Sequence, residues 1–474
     1  MKNKSENFVD EKKENVKFRN FSFFTFHSSL FRHVFTVGSF TALSRVLGLV
    51  REMLQSRLIG AGVEQSAFVL AFAIPNMARK LFGEGALTAA FVPVFKGAVE
   101  RGETEEARRL ARAVMTMVML ILGSIVVLTV LGLTAFLHLD LDLSPRTFLT
   151  AKLVRILFPY MIFICGAAFG MGVLNALGRF VEGAFMPAFL NLVWIAALGG
   201  LCFFPGLSLS ARVTVVCWAI LAGGAAQMAF LFRCMARRGF GGLISLRGLI
   251  SSRRDGSFRM VWSNTFIAAM GAGAVQVNYM LDQVLAQCAA PWAAGVIGYA
   301  ERLMDLPLGV VGVAFGTVLL PTFSGHFAKN DVEGAKACLR KSVLQMLAVM
   351  LPASVVTFFC APWIVWLIYE GNAFDQAATV RVARALSVYG LGLCFFSIQK
   401  CLIPFFQAQN DMKTPLRVSV QTVFLNAVLN VLAVVLLPVE WRHVGLAAST
   451  SLCALVGCIL FLRAPGFRLH FKRT

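Results

Sequence analysis

The stretch "SRVLGLVREMLQSRLIGAG", from Ser44 to Gly62, has the apolar residues of a membrane-spanning helix together with three arginines, Arg45, Arg51 and Arg57. A charged side chain at the bilayer centre costs roughly 2.5–3.5 kcal/mol on insertion scales. A six-residue step turns an α-helix by about 600°, so the three arginines spread around the helix axis. At least Arg45 or Arg51 should therefore face a water-filled interior, whereas Arg57, near the outer end, can reach the membrane surface.

The composition of the chain is that of an integral membrane protein. Of its 474 residues, 58% are hydrophobic and 14% are charged, against about 45–50% and about 25% in soluble domains. Apolar runs of roughly 20 residues recur, which is long enough to cross the hydrocarbon core as helices. The formal net charge is +20. Because much of it lies in loops between the predicted spans, we attribute it to membrane topology and expect no nucleic-acid partner.

The hydropathy pattern predicts an all-α membrane fold of about twelve transmembrane helices in two parallel six-helix lobes. The predicted spans cover residues 33–59, 66–96, 111–138, 150–176, 181–204, 212–233, 260–287, 292–325, 338–360, 379–407, 416–437 and 443–463. Spans two and eight are long and are interrupted by Gly and Pro. The predicted order is a cytosolic N-terminal tail with an interfacial segment (1–31), an N-lobe (32–236), a basic cytoplasmic linker (237–259), a C-lobe (260–466) and a cytosolic tail (467–474).

The distribution of basic residues among the loops and an internal sequence repeat together predict the membrane topology. Basic residues concentrate in the loops on the side of the two termini, so the positive-inside rule places both termini in the cytoplasm. The segment Phe91–Arg108 resembles Leu319–Lys336 at an offset of 228 residues, and at nearly the same offset Tyr160 corresponds to Tyr389. With six spans each, the two repeats have the same orientation, as in transporters that bind their substrate at the midplane between parallel repeats.

Two other predicted spans carry charge in an apolar context. Span two contains "IPNMARKLFGEG", with Asn76, Arg79, Lys80, Gly83, Glu84 and Gly85, and span eight contains "YAERLMDLPLG", with Glu301, Arg302 and Asp305. Their carboxylates, with Glu52, can pair with arginines and hold the spans in register, but a surplus of cations remains. Because arginine cannot lose its proton and binds phosphate in a bidentate manner, the surplus favours a cavity for a pyrophosphate.

The remaining intramembrane candidates are less specific. Gly83 and Gly85 either free backbone N–H groups for an anion or act as hinges, and Asn76 is expected to face the same cavity. Asp282 is a lone acid in span seven that can bind Na⁺ or H⁺, or pair with a lysine such as Lys400. No catalytic or metal-ligand motif of the HExxH, GxSxG or Walker type occurs in the sequence, so we expect a transporter and not an enzyme.

At these residues the chain resembles a known family. "SRVLGLVREMLQSRLIGAG", "IPNMARKLFGEGALTAAFVPVF", "YAERLMDLPLGVVGVAFGTVLLP" and "NDMKTPLRVS" are similar to segments of the MurJ (MviN) family of bacterial lipid II flippases, and the likeness runs from about Phe35 to Arg463. The resemblance implies the fold of the multidrug/oligosaccharidyl-lipid/polysaccharide exporter superfamily. The essential cavity arginines of the family match Arg45, Arg51, Arg79 and Arg302, and a family glutamate matches Glu84.

The resemblance also implies what the protein does. The expected activity is movement of lipid II, an undecaprenyl-pyrophosphate disaccharide-peptide, from the cytoplasmic to the periplasmic leaflet of the bacterial inner membrane by alternating access. We expect no cofactor, but a coupling ion (Na⁺ or H⁺) and the membrane potential can drive the cycle. Expected partners are membrane lipids and proteins of cell-wall synthesis or division. Some relatives have a sodium site between spans seven and eleven, for which Asp282 and Asp411 are the candidates here.

The chain departs from the family pattern in three places, one of which is the additional polar tail before Phe21. An acidic residue common shortly after the "GAG" turn is Ser66 here, which puts an outer gate based on that acid in doubt. Family members commonly have fourteen spans, so with twelve predicted we expect the last two, which help to form a groove for the lipid tail, to be lacking.

Three alternative functions remain at this point. Any prenyl-pyrophosphate-linked glycan would suit the arginines. A drug or cation antiporter of the same superfamily would need acids and aromatic residues in the cavity. A membrane scaffold of the cell-wall machinery would need no inward-facing arginines.

Overall fold

The structure is a computed structural model that describes residues 28–83, 86–139, 142–242, 244–252, 255–465 and 467. Most of the predicted N-terminal tail, 1–27, and all but one residue of the C-terminal tail therefore lie outside the described residues. Within those residues the chain is almost entirely helical and forms no β-strand.

Fifteen α-helices are present in the described part of the chain. They are α1 (Ser28–Ile59), α2 (Val63–Ala78), α3 (Ala86–Glu100), α4 (Thr104–His138), α5 (Pro145–Leu157), α6 (Tyr160–Ala176), α7 (Phe180–Leu201), α8 (Leu209–Ala236), α9 (Leu246–Ser252), α10 (Gly256–Ala289), α11 (Ala293–Ala328), α12 (Val332–Tyr369), α13 (Gln376–Ala408), α14 (Lys413–Leu436) and α15 (Val439–Arg463). The short helix α9 lies in the linker. We call the helix ends that the charge pattern places away from the cytoplasm the outer ends.

The twelve predicted spans match these helices closely. Span two is α2 and α3 joined through a π-helical turn, Arg79–Gly83, and span four is α5 followed by α6. Eight spans in the described residues are long and apolar enough to cross a membrane. The other four predicted spans are the first, second, seventh and eighth, which carry the charged and amide side chains discussed above. The all-α membrane fold is confirmed, whereas the number of twelve crossings stays a prediction.

The interruptions predicted in spans two and eight differ from what the structure shows. Helix α2 continues through Pro75, and the backbone widens only afterwards, in the π-helical turn that begins at Arg79. Helix α11 contains both Pro307 and Pro321 and is a single helix. The prediction that span eight is interrupted is therefore wrong, because neighbouring helices in a membrane bundle can compensate for the hydrogen bonds that a proline removes.

Two hydrophobic clusters form the interior, one in each predicted lobe. The first joins α1 to α8 and includes Phe258 and Val261 from the start of α10, and the second joins the end of α10 to α15. Helix α10 thus begins on the N-lobe cluster and ends in the C-lobe cluster. The repeat is visible in the packing: Tyr160 stacks on Phe72 of span two, and its counterpart Tyr389 donates to Glu301 of span eight at 3.4 Å.

Candidate substrate-binding cavity

Arg51 lies in the outer half of α1 and is held by side chains of α7. Its Nη1 atom donates to Oδ1 of Asn191 at 3.0 Å, and the guanidinium lies over the ring of Trp194, 4.2 Å from the ring centroid. Asn191 in turn donates from Nδ2 to the carbonyl oxygen of Ser44 at 2.9 Å. A cation–π contact and a charge-assisted hydrogen bond therefore fix the position of Arg51 within the N-lobe.

Glu52 connects the two lobes electrostatically. Its carboxylate pairs with the adjacent Arg51, and its Oε1 atom lies 3.6 Å from Nε of Arg302, in α11 of the C-lobe. The Glu52 side chain is 12% exposed and the Arg302 side chain 51% exposed. One carboxylate shared by two guanidinium groups leaves positive charge that an anionic ligand can neutralise.

Arg45 makes a second contact between the lobes. Its Nη2 atom donates to the carbonyl oxygen of Gly309, in α11, at 3.0 Å. A Cβ atom at position 309 would lie 3.2 Å from Nη1 of Arg45, so the absence of a side chain permits this close approach.

Arg79 begins the π-helical turn of span two. Its Nε atom donates to Oδ1 of Asn76 at 3.1 Å, which orients the guanidinium along α2. The next residue, Lys80, lies over the ring of Tyr279 in α10, 5.0 Å from the centroid. Span two therefore presents Lys80 towards the C-lobe, and Arg79 towards the N-lobe cavity, at the point where its backbone widens.

These side chains line three cavities that share residues. A large cavity of about 500 Å³ is lined by Arg45, Arg51 and Arg302, with Glu52, Asp305 and Lys400. An N-lobe cavity of about 210 Å³ is lined by Arg51, Arg79, Arg302 and apolar residues of α6 and α7. A deep pocket of about 120 Å³ lies beside Glu52 and Arg302. All four predicted substrate arginines thus come together, and among the residues that the structure describes, six cations in these walls face three carboxylates, Glu52, Glu301 and Asp305.

The structure describes some, but not all, of the other residues predicted to act in gating or structure. Asn76 lines both the N-lobe cavity and the deep pocket. Gly83 ends the π-helical turn, whereas Glu84 and Gly85 lie outside the described residues. Glu301 lines the deep pocket and accepts the hydrogen bond from Tyr389.

Asp282 belongs to a separate polar cluster within the C-lobe. Its Oδ1 atom accepts from Asn430 of α14 at 2.6 Å, and its Oδ2 atom accepts from Asn278 at 3.3 Å. Asn430 also donates to Asn426 at 3.1 Å and accepts from Ser449 of α15. Lys400, the alternative partner considered above, lines the large cavity.

The prediction that Asp411 shares an ion site with Asp282 is wrong. Asp411 precedes α14, where its carboxylate accepts from the backbone N–H groups of Lys413 and Thr414 and from the Thr414 hydroxyl. Partial burial would raise the pKa of Asp411, but these hydrogen bonds, first that of the Thr414 hydroxyl, lower it. Asn430 lies 17 residues beyond Lys413, the first residue of α14, or roughly 25 Å at 1.5 Å per residue.

At the outer ends the lobes contact each other through a chain of hydrogen bonds. Ser66 Oγ accepts from the backbone N–H of Gly295, in the first turn of α11, at 2.9 Å. The Ser66 carbonyl accepts from Nε2 of Gln287 at 2.6 Å, and Gln287 accepts from Arg146 of α5. Ser66 thus takes the capping position at a free helix N-terminus, where an acid would also be favoured.

A second outer contact joins the end of α1 to the turn after α12. The backbone N–H of Ala373 donates to the carbonyl of Arg57 at 3.0 Å, and the hydroxyl of Ser56 donates to the carbonyl of Tyr369 at 3.0 Å. The Arg57 residue is exposed, as expected from its place near the helix end.

The sequence arguments missed several residues of these walls. Asn191 and Trp194 hold Arg51, and Gln55 and Gln65 line the deep pocket. The sequence does indicate that Asn191 and Trp194 lie on one face of α7, because they are three residues apart. It does not indicate that this face contacts Arg51.

Two helical lobes around a cation-rich cavity, with contacts between the outer ends, define a membrane transporter for an anionic substrate. The fold agrees with solved transporters. The chain resembles a structure of lipid II flippase MurJ in an inward closed conformation, with a TM-score of 0.73, 23% identity and coverage of 90% of this chain and 86% of that one. It also resembles an inward-facing multidrug resistance MATE family transporter of the MOP superfamily, with a TM-score of 0.69, 14% identity and coverage of 91% and 94%.

The sequence comparisons identify the family. The family model described as lipid II flippase MurJ matches residues 55–472. The chain is 32% identical over 429 residues to a probable lipid II flippase MurJ of Rhizobium tropici, covering 89% of this chain and 79% of that protein. It is also 32% identical over 442 residues to the lipid II flippase MurJ of Burkholderia cenocepacia, covering 91% and 83%. The chain belongs to the MurJ family.

Proposed function

We propose that this protein moves lipid II across the cytoplasmic membrane of a bacterium by alternating access. The main support for the proposal is that Arg51 in the N-lobe and Arg302 in the C-lobe both pair with the carboxylate of Glu52. The pyrophosphate of lipid II binds Arg45, Arg51, Arg79 and Arg302, because guanidinium groups match phosphate oxygens in charge and geometry. The prenyl chain stays in the lipid while the head group enters the cavity.

The same contacts explain how binding is coupled to movement of the lobes. A pyrophosphate between Arg51 and Arg302 displaces Glu52 and replaces one carboxylate with a ligand of about two negative charges. Since the two arginines belong to different lobes, the ligand favours the arrangements in which both can reach it. Opening of the outer contacts at Ser66 and Gln287 then releases the head group to the other side. Return of the cationic cavity is favoured by a negative-inside potential, by about 2.3 kcal/mol per charge per 100 mV.

We propose the Asp282 cluster as the site of the coupling ion, Na⁺ or H⁺. The donor set fits a hard cation or a proton, since it offers a carboxylate, amide oxygens and a hydroxyl. One of these, Oδ1 of Asn278, is buried without a hydrogen-bond partner. A bound cation would neutralise Asp282 within the C-lobe.

The topology in this proposal follows the charge pattern. Both termini are cytoplasmic, and the partners are membrane lipids and proteins of cell-wall synthesis or division. A glycan carrier with another sugar on a prenyl pyrophosphate would use the same arginines. A drug or cation antiporter is disfavoured, because cations outnumber carboxylates in the cavity walls.

Transport of fluorescent lipid II in proteoliposomes tests the proposal. Arg51→Ala and Arg302→Ala should each slow transport at least tenfold, whereas Arg101→Ala, which removes an exposed arginine that pairs with Glu103 in a loop, should not. Native mass spectrometry should show that the first two variants also lose lipid II. Normal transport by correctly inserted Arg51→Ala and Arg302→Ala proteins would contradict the proposal.

A further inference from the structure

Two half-buried arginines, Arg212 and Arg442, occupy equivalent places in the two lobes. Arg212 lies in the first turn of α8, the last helix of the N-lobe, and Arg442 lies in the first turn of α15, the last helix of the C-lobe. They are 230 residues apart in the sequence, close to the offset of 228 residues between the repeats. Neither residue lines the three cavities that hold the substrate arginines.

Each of these arginines joins the last helix of its lobe to the outer end of the first. Arg212 donates from Nη1 to the carbonyl of Leu58, in the last turn of α1, at 3.1 Å. Arg442 donates from Nη1 to the carbonyl of Ala289, the last residue of α10, at 3.3 Å. Carbonyl groups in the last turn of a helix have no intrahelical donor, and a cation there also interacts favourably with the helix dipole.

Each guanidinium also binds the loop that precedes its own helix. Arg212 donates from Nε to the carbonyl of Leu207 at 3.0 Å and from Nη2 to the carbonyl of Pro205 at 2.7 Å. Arg442 donates from Nε to the carbonyl of Leu437 at 3.1 Å. Because a planar guanidinium presents its donors in fixed directions, each arginine fixes a helix end relative to a loop, and the two lobes do so in the same way.

The outer end of α1, which Arg212 holds, contacts the C-lobe directly. The hydroxyl of Ser56 donates to the carbonyl of Tyr369 at 3.0 Å, and the carbonyl of Gly60 accepts from the hydroxyl of Tyr299 at 3.2 Å. We call these bonds, together with the backbone bond from the turn after α12 to the end of α1, the α1 contact. Since hydrogen bonds weaken steeply when they are misaligned, the α1 contact depends on the position of this helix end.

The outer end of α10, which Arg442 holds, contacts the N-lobe. Gln287, two residues before Ala289, donates to the carbonyl of Ser66 at 2.6 Å, and the hydroxyl of Ser66 accepts from the backbone N–H of Gly295 at 2.9 Å. We call these bonds the Ser66 contact. The arrangement is reciprocal, because the arginine of each lobe holds the helix end that contacts the other lobe.

We propose that Arg212 and Arg442 are positioning residues of the outer closure, which hold the ends of α1 and α10 where the bonds between the lobes can form. Both act through other residues. The inference rests on the proposed function, because in an alternating-access cycle these contacts control access to the cavity from the outer side. Arg212 supports the α1 contact and Arg442 supports the Ser66 contact, so each arginine acts on a different set of bonds.

Access from the outer side tests the inference in the full-length protein, in right-side-out vesicles without lipid II. The reporter is a cysteine replacing Val69, one turn inward of Ser66 on α2 and in the wall of the deep pocket. A membrane-impermeant maleimide is added outside, and peptide mass spectrometry measures the label at residue 69 alone. Arg212→Ala and Arg442→Ala should each speed labelling about threefold to tenfold, the range for losing one neutral hydrogen bond.

A control and a double-mutant cycle separate positioning from general loosening. Lys152→Ala removes a half-buried cation of α5 that takes no part in either contact, and it should label like the wild type. In Ser66→Ala/Gln287→Leu the Ser66 contact is already absent, so Arg442→Ala should add less than about twofold while Arg212→Ala keeps its full effect. The inference is overturned if both alanine variants label like the wild type, or if their effects are equal in this background.

Lysine variants keep the test decisive if an alanine variant does not fold. Arg212→Lys and Arg442→Lys retain the charge but lack the planar fork that joins loop and helix end, so labelling should rise about twofold or more. Wild-type labelling by both lysine variants would overturn the inference. Because no lipid II is present, this result is independent of the proposed function, which fails instead if Arg51→Ala/Arg302→Ala retains lipid II.

Discussion

Nε of Arg302 in the C-lobe lies 3.6 Å from the carboxylate of Glu52 in the N-lobe. Glu52 also pairs with Arg51, so one acid is shared by guanidinium groups of two lobes, which the proposed cycle moves relative to each other. In the proposed cycle an anionic head group competes with Glu52 for both arginines, and Glu52 replaces the head group when it leaves. We therefore expect the acid to set how tightly the cavity holds its ligand.

Replacement of Glu52 should separate binding from transport. In Glu52→Gln the two arginines lose their competing carboxylate, so lipid II should bind roughly threefold to tenfold more tightly. Transport should slow by about the same factor, because release becomes harder. Equilibrium binding and proteoliposome transport measure the two effects, with Glu103→Gln in an exposed loop as the control. Weaker binding by Glu52→Gln would show that the acid holds the arginines in place and does not compete.

Asn191 should act on the substrate only through Arg51. Asn191→Leu removes the acceptor at 3.0 Å from Nη1 of Arg51, and loss of a hydrogen bond to a charged group corresponds to about 1.5–3 kcal/mol. Lipid II binding should therefore weaken about tenfold or more.

A double-mutant cycle isolates this route. In an Arg51→Ala background, Asn191→Leu should have little further effect on binding, because the contact is already absent. Thermal unfolding of all four proteins controls for general destabilisation. Additive losses of affinity in the double variant would mean that Asn191 contributes independently of Arg51.

Gly309 should be required for the position of Arg45. A Cβ at this residue would lie 3.2 Å from Nη1 of Arg45, so the branched side chain of Gly309→Val should displace the guanidinium and reduce transport as much as Arg45→Ala does. A Cβ at Gly325 of the same helix would have no neighbouring atom within 4 Å, and Gly325→Val is the matched control. Equal transport by the two valine variants would contradict this role.

The helical elements could be predicted from the sequence pattern, and the set of arginines from the resemblance of the sequence to a family. Apolar runs determine where helices cross, and charge inside them indicates a polar interior, but the choice of Arg45, Arg51, Arg79 and Arg302 among the charged residues came from the resemblance to the family. Helical periodicity gives the angle of a side chain about its own helix. It does not show which helix faces it.

The contacts that the sequence could not predict all involve a second helix. Arg45 and Gly309 are 264 residues apart, and no local pattern joins them. Asp411 was wrongly predicted to be an ion ligand for a related reason. The type of a residue does not indicate how deep in the membrane it lies. Asp411 lies in the turn before α14, while Asn430, an amide with no formal charge, occupies the place beside Asp282.

Neutral hydrogen bonds at the outer ends should determine how often the cavity opens outward. Ser66 and Gln287 contribute bonds of 2.9 Å and 2.6 Å between the lobes, each worth about 0.5–1.5 kcal/mol. In Ser66→Ala/Gln287→Leu the outward-open population should rise about tenfold or more. The reporter is a cysteine replacing Val69, which lines the deep pocket, labelled by a membrane-impermeant maleimide from the outer side.

Two further measurements distinguish closure by neutral hydrogen bonds from closure by an ion pair. They are the salt dependence of labelling and the effect of Ser66→Asp. Because every bond in this chain, including that from Arg146 to Gln287, has at least one uncharged partner and none is an ion pair, labelling of the Val69→Cys protein should change little between low and high salt. Ser66→Asp should instead close the outer ends more firmly, since a carboxylate at the start of α11 interacts favourably with the helix N-terminus, and labelling should fall. Faster labelling of Ser66→Asp, or unchanged labelling of Ser66→Ala/Gln287→Leu, would mean that the contact between α1 and the turn after α12 keeps the outer side closed.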